Sequence, residues 1–207
     1  MLLELKKKDA DIRRIARRAV QDEKLISELL ANLKIKEETV RYNSSRILNL
    51  LSFEHPEVLY PKWDSFVELI KSDHTYWILS AIPILANLTK VDTENRFEKL
   101  FNTYYDLLDH WSVIPAAWVA ENSWMIARTK PGLQAKITNH LLKIDQTHHR
   151  SDRKDLIKSG IIKSFNEYFG DIRQKKKVIE FVRSQLDCSS PKTRKMAAQF
   201  LDKWGRE

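Results

Sequence analysis

Apolar residues recur along this chain at helical spacing, most clearly between Thr39 and Ile70. There a first run puts Ile47, Leu48 and Leu51 on one stripe, and Ser44 and Ser45 keep one side of it thin. A second run holds Leu59, Trp63, Phe66, Val67 and Ile70, spaced by four, three, one and three, which is one face of a 3.6-residue period. Thr39 is positioned to cap the first helix with its hydroxyl. His55-Pro56 ends that helix, because a residue before proline is pushed out of the α region. Pro56 opens the second, where a missing N–H costs little. The stretch predicts two antiparallel helices joined by a short turn.

The same stripes return along the chain. Leu59, Trp63, Phe66 and Ile70 shift by 38 onto Phe97, Phe101, Tyr104 and Leu108, then by 36 onto Leu133, Ile137, His140 and Ile144, then by 42 onto Lys175, Ile179, Val182 and Leu186. Ile26, Leu29, Leu30 and Leu33 lie 37 positions before Trp63, Phe66, Val67 and Ile70. The first-helix stripe Ser44, Ile47, Leu48, Leu51 recurs independently at shifts of 37, 39, 41 and 36, ending on Ala197, Phe200, Leu201 and Trp204. These series predict an all-α chain of five helix pairs, about Asp9–Lys34, Thr39–Lys71, Asp73–Asp109, Ser112–Asp145 and Arg150–Asp187. A closing helix, Ser190–Trp204, starts with Ser190 as cap and Pro191 in its first turn. Pro131-Gly132 and Gly170-Asp171 mark turns inside pairs four and five. One such pair cannot bury its apolar faces alone, so stacked neighbours must share a core. Polar outer faces are expected at the ends, where Asp11, Arg13, Arg14, Arg17 and Arg18 precede the stack and Lys192, Arg194, Lys195 and Lys203 close it. No linker or low-complexity segment divides residues 1–207, which read as a single repeat domain.

With this period, the paired amphipathic helices and the VRYNSSRILNLL pattern at Val40–Leu51, the chain resembles the HEAT-repeat family of α-solenoids. Pro83, inside the third pair's first helix, is similar to the helix-kinking proline of many HEAT repeats. The regular Asp-plus-Arg ladder of the best-defined HEAT repeats is absent. The resemblance implies an α-α superhelix capped by the C-terminal helix. It also implies a non-enzymatic scaffold whose second helices line a concave face that binds a macromolecular partner, in the first place a protein.

Composition refines this picture. The net charge is +8, and it is uneven: residues 1–50 carry 12 basic and 8 acidic residues, residues 51–110 carry 5 and 10, and residues 111–207 carry 19 and 10. Such asymmetry suits an acidic partner, nucleic acid included, and it equally suits solvated Lys-rich helix faces. The lone Cys188 excludes an internal disulfide framework and fits a reducing compartment. The N-terminus has no apolar run of signal-peptide length, and nothing approaches the roughly 18 apolar residues of a membrane span. The expectation is a cytoplasmic protein without a membrane partner.

Candidate chemistry is sparse. No glycine-rich phosphate loop and no G-x-S-x-G motif is present. The six histidines show no His-x-x-x-His pair and His148-His149 lies in a polar turn, so no metal ligand and no cofactor is expected. His140 occupies a stripe position and reads as a core residue. Trp77, Tyr104, Tyr105, Trp111, Trp118 and Trp124 crowd the middle pairs beside Asp106, Asp109 and Glu121. Some HEAT-like proteins are alkylpurine DNA glycosylases that hold damaged DNA with tryptophans and an aspartate on a basic concave face. That relation implies the alternative function of a nucleic-acid-binding solenoid, with or without such activity. The family's Trp-Asp constellation is not recognisable here, and aromatic stripes at helical spacing also build cores. Basic clusters lie at Lys6–Lys8, Arg13–Arg18, Lys154–Lys163 and Arg173–Lys177. The candidate partner-binding residues are Lys136, Lys143, Lys176 and Arg183, beside the second-helix stripes, and Lys62 on the template pair.

Overall fold

A computed structural model describes residues 2–205. The described residues are helical with short turns, and no strand occurs among them. Their contacts divide the chain into two units, Met1–Phe97 and Glu98–Glu207, and the division falls inside a helix rather than a linker.

The N-terminal unit contains α1 (Leu2–Leu5), α2 (Ile12–Ala19), α3 (Glu23–Asn32), α4 (Glu38–Glu54), α5 (Pro56–Leu59), α6 (Trp63–Ile70), α7 (Thr75–Leu88) and the start of α8 (Arg96–Asp106). Helix α4 packs against α2, α3 and α7, and α6 packs against α7. Asp11 and Asp22 cap α2 and α3 by accepting the amides of Arg14 and Leu25, each worth about 1 kcal/mol. The expected Thr39 cap is not observed. Helix α4 starts a residue earlier, with Glu37 as the flanking residue and no side-chain cap; the Glu37 carbonyl accepts the Arg41 amide and draws Thr39 into the first turn. The second helix of this pair is also interrupted: a 3-10 turn at Tyr60–Lys62 separates α5 from α6. Pro61 explains it, since a proline lacks the amide that the α ladder requires.

Most stripe positions of this unit are buried as the spacing predicts, including Ile47, Leu48, Leu51, Trp63, Phe66 and Ile70, while Leu30 and Val67 are half-buried. In α7 every residue from Ser80 to Leu88 is buried, Pro83 among them. A helix apolar on all sides belongs to an interior. Buried polar groups then fix the register. The Asn43 side-chain amide donates to the carbonyls of Leu5 and Lys7 at 2.9 and 3.0 Å. That of Asn87 donates to Ser52 Oγ at 2.9 Å, and Ser45 donates to Ser80 at 3.0 Å.

The C-terminal unit holds the rest of α8, then α9 (Val113–Thr129), α10 (Gln134–Leu142), α11 (Ser151–Tyr168), α12 (Lys175–Arg183) and α13 (Pro191–Trp204). The expected Ser190 cap is present and accepts the Thr193 amide. Helix α11 lies along α9 and also contacts α13. Gly160 stands mid-helix at the α9 contact. A Cβ there would come 3.1 Å from the Glu121 nitrogen and 3.2 Å from the Ala117 oxygen. The helices approach because Ala116, Ala120 and Ser164 are also small and buried, and Ser164 Oγ donates to the Ala120 carbonyl. Leu186 departs from its stripe and is exposed, because α12 has already ended at Arg183.

Asp155 ties α11 to the start of α13. Its carboxylate accepts the Ser189 amide and hydroxyl, both at 2.8 Å, and pairs with Lys158 at 3.5 Å. Burial pushes this carboxyl up, but the Ser189 bonds and the Lys158 ammonium outweigh it and hold it below the ordinary 3.8. A depressed carboxyl contributes stability above its unfolded pKa, which is lost as pH falls through the folded value. Asp155→Ala is therefore expected to cost about 3 kcal/mol near neutral pH and much less in acid below the ordinary carboxylate pKa. Urea denaturation at several pH values measures both, and an equal loss at every pH would refute the assignment. Gly160→Ala should cost about 1–3 kcal/mol through overpacking; a stabilised variant would show that α9 and α11 can separate freely.

Candidate functional site

In the C-terminal unit, two turns flank one open cavity of about 520 Å³. One is the 3-10 turn Pro131–Leu133, between α9 and α10; the other runs from Asp171 to Gln174, just before α12. Both follow from local sequence. Proline fits the first position of a short helical turn because it has no amide to satisfy, and Gly132 and Gly170 have open space where a side chain would stand. The walls include Arg128, Arg173, Gln134, Gln174, Thr138 and Asp171. Behind them the Thr138 hydroxyl meets the Tyr168 hydroxyl at 3.1 Å, and burial holds that phenol well above its usual range.

The charge on these walls is available. Arg128 and Arg173 are exposed, and neither has a carboxylate partner among the described residues. Arg128 instead extends toward the Trp124 ring, 6.0 Å from its centroid. The Gln174 side-chain amide donates to Asn139 at 3.0 Å, while its buried Oε1 has no hydrogen-bond partner. The amides at the start of α10 add the partial positive charge of a helix N-terminus. The cavity thus combines two forked cations with one carboxylate, Asp171, and neutral donors and acceptors, a set in which positive charge is in excess and which suits carboxylates or phosphates.

The five residues expected from sequence fall into different situations. Lys62 belongs to the N-terminal unit, and Glu23 accepts from its ammonium at 2.8 Å, so its charge is satisfied internally. Lys136 lies on α10, donates to Asn102 at 3.2 Å and sits 3.9 Å above the Phe101 ring. Lys143, at the end of α10, and Lys176 and Arg183, on α12, are exposed, and their side chains make no hydrogen bond or ion pair with a described residue. Gln174, just before α12, donates to Asn139 on α10, a hydrogen bond between the segments that carry these four residues. Lys130, beside the cavity in sequence, is not a free cation: its side chain is 9% exposed and pairs with Glu98 at 3.3 Å.

The aromatic set divides as well. Tyr104 and Tyr105 are core residues, and the His140 ring packs against Phe101 and Tyr105 at 5.2 and 5.5 Å. Trp111 and Trp118 are exposed. Glu121 pairs with Lys163 rather than with a tryptophan. Sequence reading did not single out Arg128. The available signal was a basic residue next to each of the two predicted turns, 128 before Pro131-Gly132 and 173 after Gly170-Asp171.

No protein-family model and no curated protein matches the chain. A crystal structure of an engineered protein, a Northeast Structural Genomics Consortium target, aligns with 96% of this chain and 90% of its own at 16% identity and a TM-score of 0.48. At that similarity the likeness identifies neither family nor function. No helix among the described residues is long and apolar enough to cross a membrane.

The contrast between paired and unpaired cations is measurable. Lys130→Ala leaves Glu98 without its partner and is expected to cost about 2 kcal/mol in urea denaturation. Lys143→Ala should leave the midpoint unchanged, as expected for an exposed side chain without partners. Equal effects of the two substitutions would contradict the division into structural and available charge.

Proposed function

We propose that each unit is a stack of HEAT-like helical hairpins, and that the chain is a non-enzymatic binding module for an acidic segment of a partner protein. Support for the stacking comes from hydrogen bonds at one repeat's separation. Asn43 reaches the Leu5 carbonyl and Asn87 reaches Ser52 in the N-terminal unit, while Thr193 reaches the Asp155 carbonyl and Trp204 reaches Asn166 in the C-terminal unit. The observation that carries the binding function is the cavity with two guanidiniums, Arg128 and Arg173, that have no carboxylate partner and outnumber the single wall carboxylate, Asp171, among the neutral polar groups Gln134, Gln174 and Thr138. An extended acidic peptide uses both kinds of group, since carboxylates pair with guanidinium forks and backbone amides pair with side-chain amides. The exposed Trp111, Ile114 and Trp118 add apolar area of the kind found in protein contacts.

A second reading rests on a different observation. The side chains of Lys143, Lys176 and Arg183 are exposed and form no hydrogen bond or ion pair with a described residue, an arrangement suited to a nucleic-acid backbone, which binds through charge without sequence being read.

Fluorescence anisotropy with a labelled oligoglutamate peptide and a labelled duplex oligonucleotide separates the two. The expected result is peptide binding that drops about tenfold or more in the Arg128→Ala/Arg173→Ala double variant, in line with loss of charge-assisted bonds. Lys62→Ala should leave it unchanged. Tighter binding of the duplex, falling steeply with salt and lost in Lys143→Ala/Lys176→Ala/Arg183→Ala, would replace the first reading with the second. Binding of neither probe at about 50 mM salt would remove both.

A further inference from the structure

Two turns of the C-terminal unit bring together groups that lie far apart in sequence. The 3-10 turn Leu107–Asp109 carries Asp109, and the segment after the turn Ile144–Gln146 carries His148 and His149. Asp109 Oδ1 accepts the His148 amide at 2.7 Å and stands 2.6 Å from His148 Nδ1. His149 is buried, with its Nε2 3.1 Å from the Leu108 carbonyl. One ligand-capable atom from each of the three side chains lies within 4.8 Å of the other two.

We propose that Asp109, His148 and His149 bind one divalent first-row transition-metal ion, with zinc the ion that best matches the set. Two imidazoles and one carboxylate suit zinc and its neighbours; calcium and magnesium call for more oxygen ligands than one carboxylate supplies. Three protein ligands leave a fourth position for water or an exogenous ligand, as in open zinc sites, whereas structural zinc sites use four.

The surroundings favour this assignment. A main-chain carbonyl that accepts from one imidazole nitrogen fixes the tautomer and leaves the other nitrogen's lone pair free, a recurrent arrangement behind metal-bound histidines. The Leu108 carbonyl is placed to do this for His149. The His148 amide orients the Asp109 carboxylate in the same way. Ligand atoms around one tetrahedral ion with bonds of about 2.0–2.2 Å stand roughly 3.3–3.6 Å apart, so the Asp109–His148 pair, at 2.6 Å, must open to admit the ion. Asp109 and His148 have side chains about half exposed and can rotate to do so, while His149 is held by burial. Lys154 is a competing positive charge near His149, but its ammonium is drawn to the Asp145 carbonyl at 2.8 Å.

Titration distinguishes this site from a hydrogen-bonded loop clasp. Metal-stripped protein is titrated with zinc by calorimetry and with cobalt(II) by visible absorption. The expected outcome is saturation at one equivalent, with affinity reduced at least about tenfold in both His148→Gln and Asp109→Asn and retained in Cys188→Ser. Zinc should also raise the Tm of the wild type and not of the two ligand variants. Absence of saturable binding, affinity unchanged in both ligand variants, or loss of binding with Cys188→Ser would each overturn the proposal. Should either ligand variant fold poorly by circular dichroism, the wild-type cobalt spectrum still decides: an intense band set of low-coordinate cobalt without thiolate charge transfer supports the site, and the weak spectrum of hexa-aqua cobalt refutes it.

Discussion

Where α11 meets α9, a glycine stands in the middle of a helix, the place where it is least favourable for helix stability. Gly160 is there because backbone atoms of Ala117 and Glu121 lie where a side chain would point. The small buried faces of Ala116, Ala120 and Ser164 complete the contact. The close approach lets Ser164 donate to a main-chain carbonyl of the neighbouring helix, so the contact also sets the register between the two. Once α11 is seated, Asp155 at its start can hold Ser189 and thereby the entry to α13. In the N-terminal unit Ser45 and Ser80 meet in the same thin-sided way between α4 and α7.

These seams show how a chain of short helices obtains a defined packing. Hydrophobic burial is non-directional and roughly proportional to area, so a leucine stripe alone tolerates sliding. The buried amides of Asn43 and Asn87 do not, because an unsatisfied buried polar group costs about 1–3 kcal/mol. Each such group therefore selects one register from several of similar apolar burial.

Charge is partitioned along the same lines. Residues 1–97 carry 16 basic and 15 acidic side chains, and residues 98–207 carry 20 and 13. In the N-terminal unit three cations pair with carboxylates 32 to 39 positions away: Lys62 with Glu23, Lys34 with Glu68, Arg96 with Asp64. In the C-terminal unit Lys130 and Lys163 find carboxylates, while Lys143, Lys176, Arg183, Arg128 and Arg173 do not. The excess charge and the open cavity therefore fall in one unit.

The sequence by itself determined the helices and their buried faces. The stripes at Ile47–Leu51, Trp63–Ile70 and Phe97–Leu108 depend on a 3.6-residue period that is local, and the break at Pro56 and the cap at Ser190 depend on one or two residues. What escaped at this level was also local, such as the break at Pro61 and the early start at Glu38. The site residues were legible as types but not as partners. Lys62 and Lys143 look alike in sequence, yet one meets a carboxylate 39 positions away and the other meets none. Asp109 and His148 share no motif, because they too are 39 positions apart and only the folding of two turns brings them to 2.6 Å. Helical periodicity reports which face of a segment is apolar. Which side chains meet between segments depends on the register of their packing, and buried polar contacts and a single missing Cβ set that register only in the folded chain.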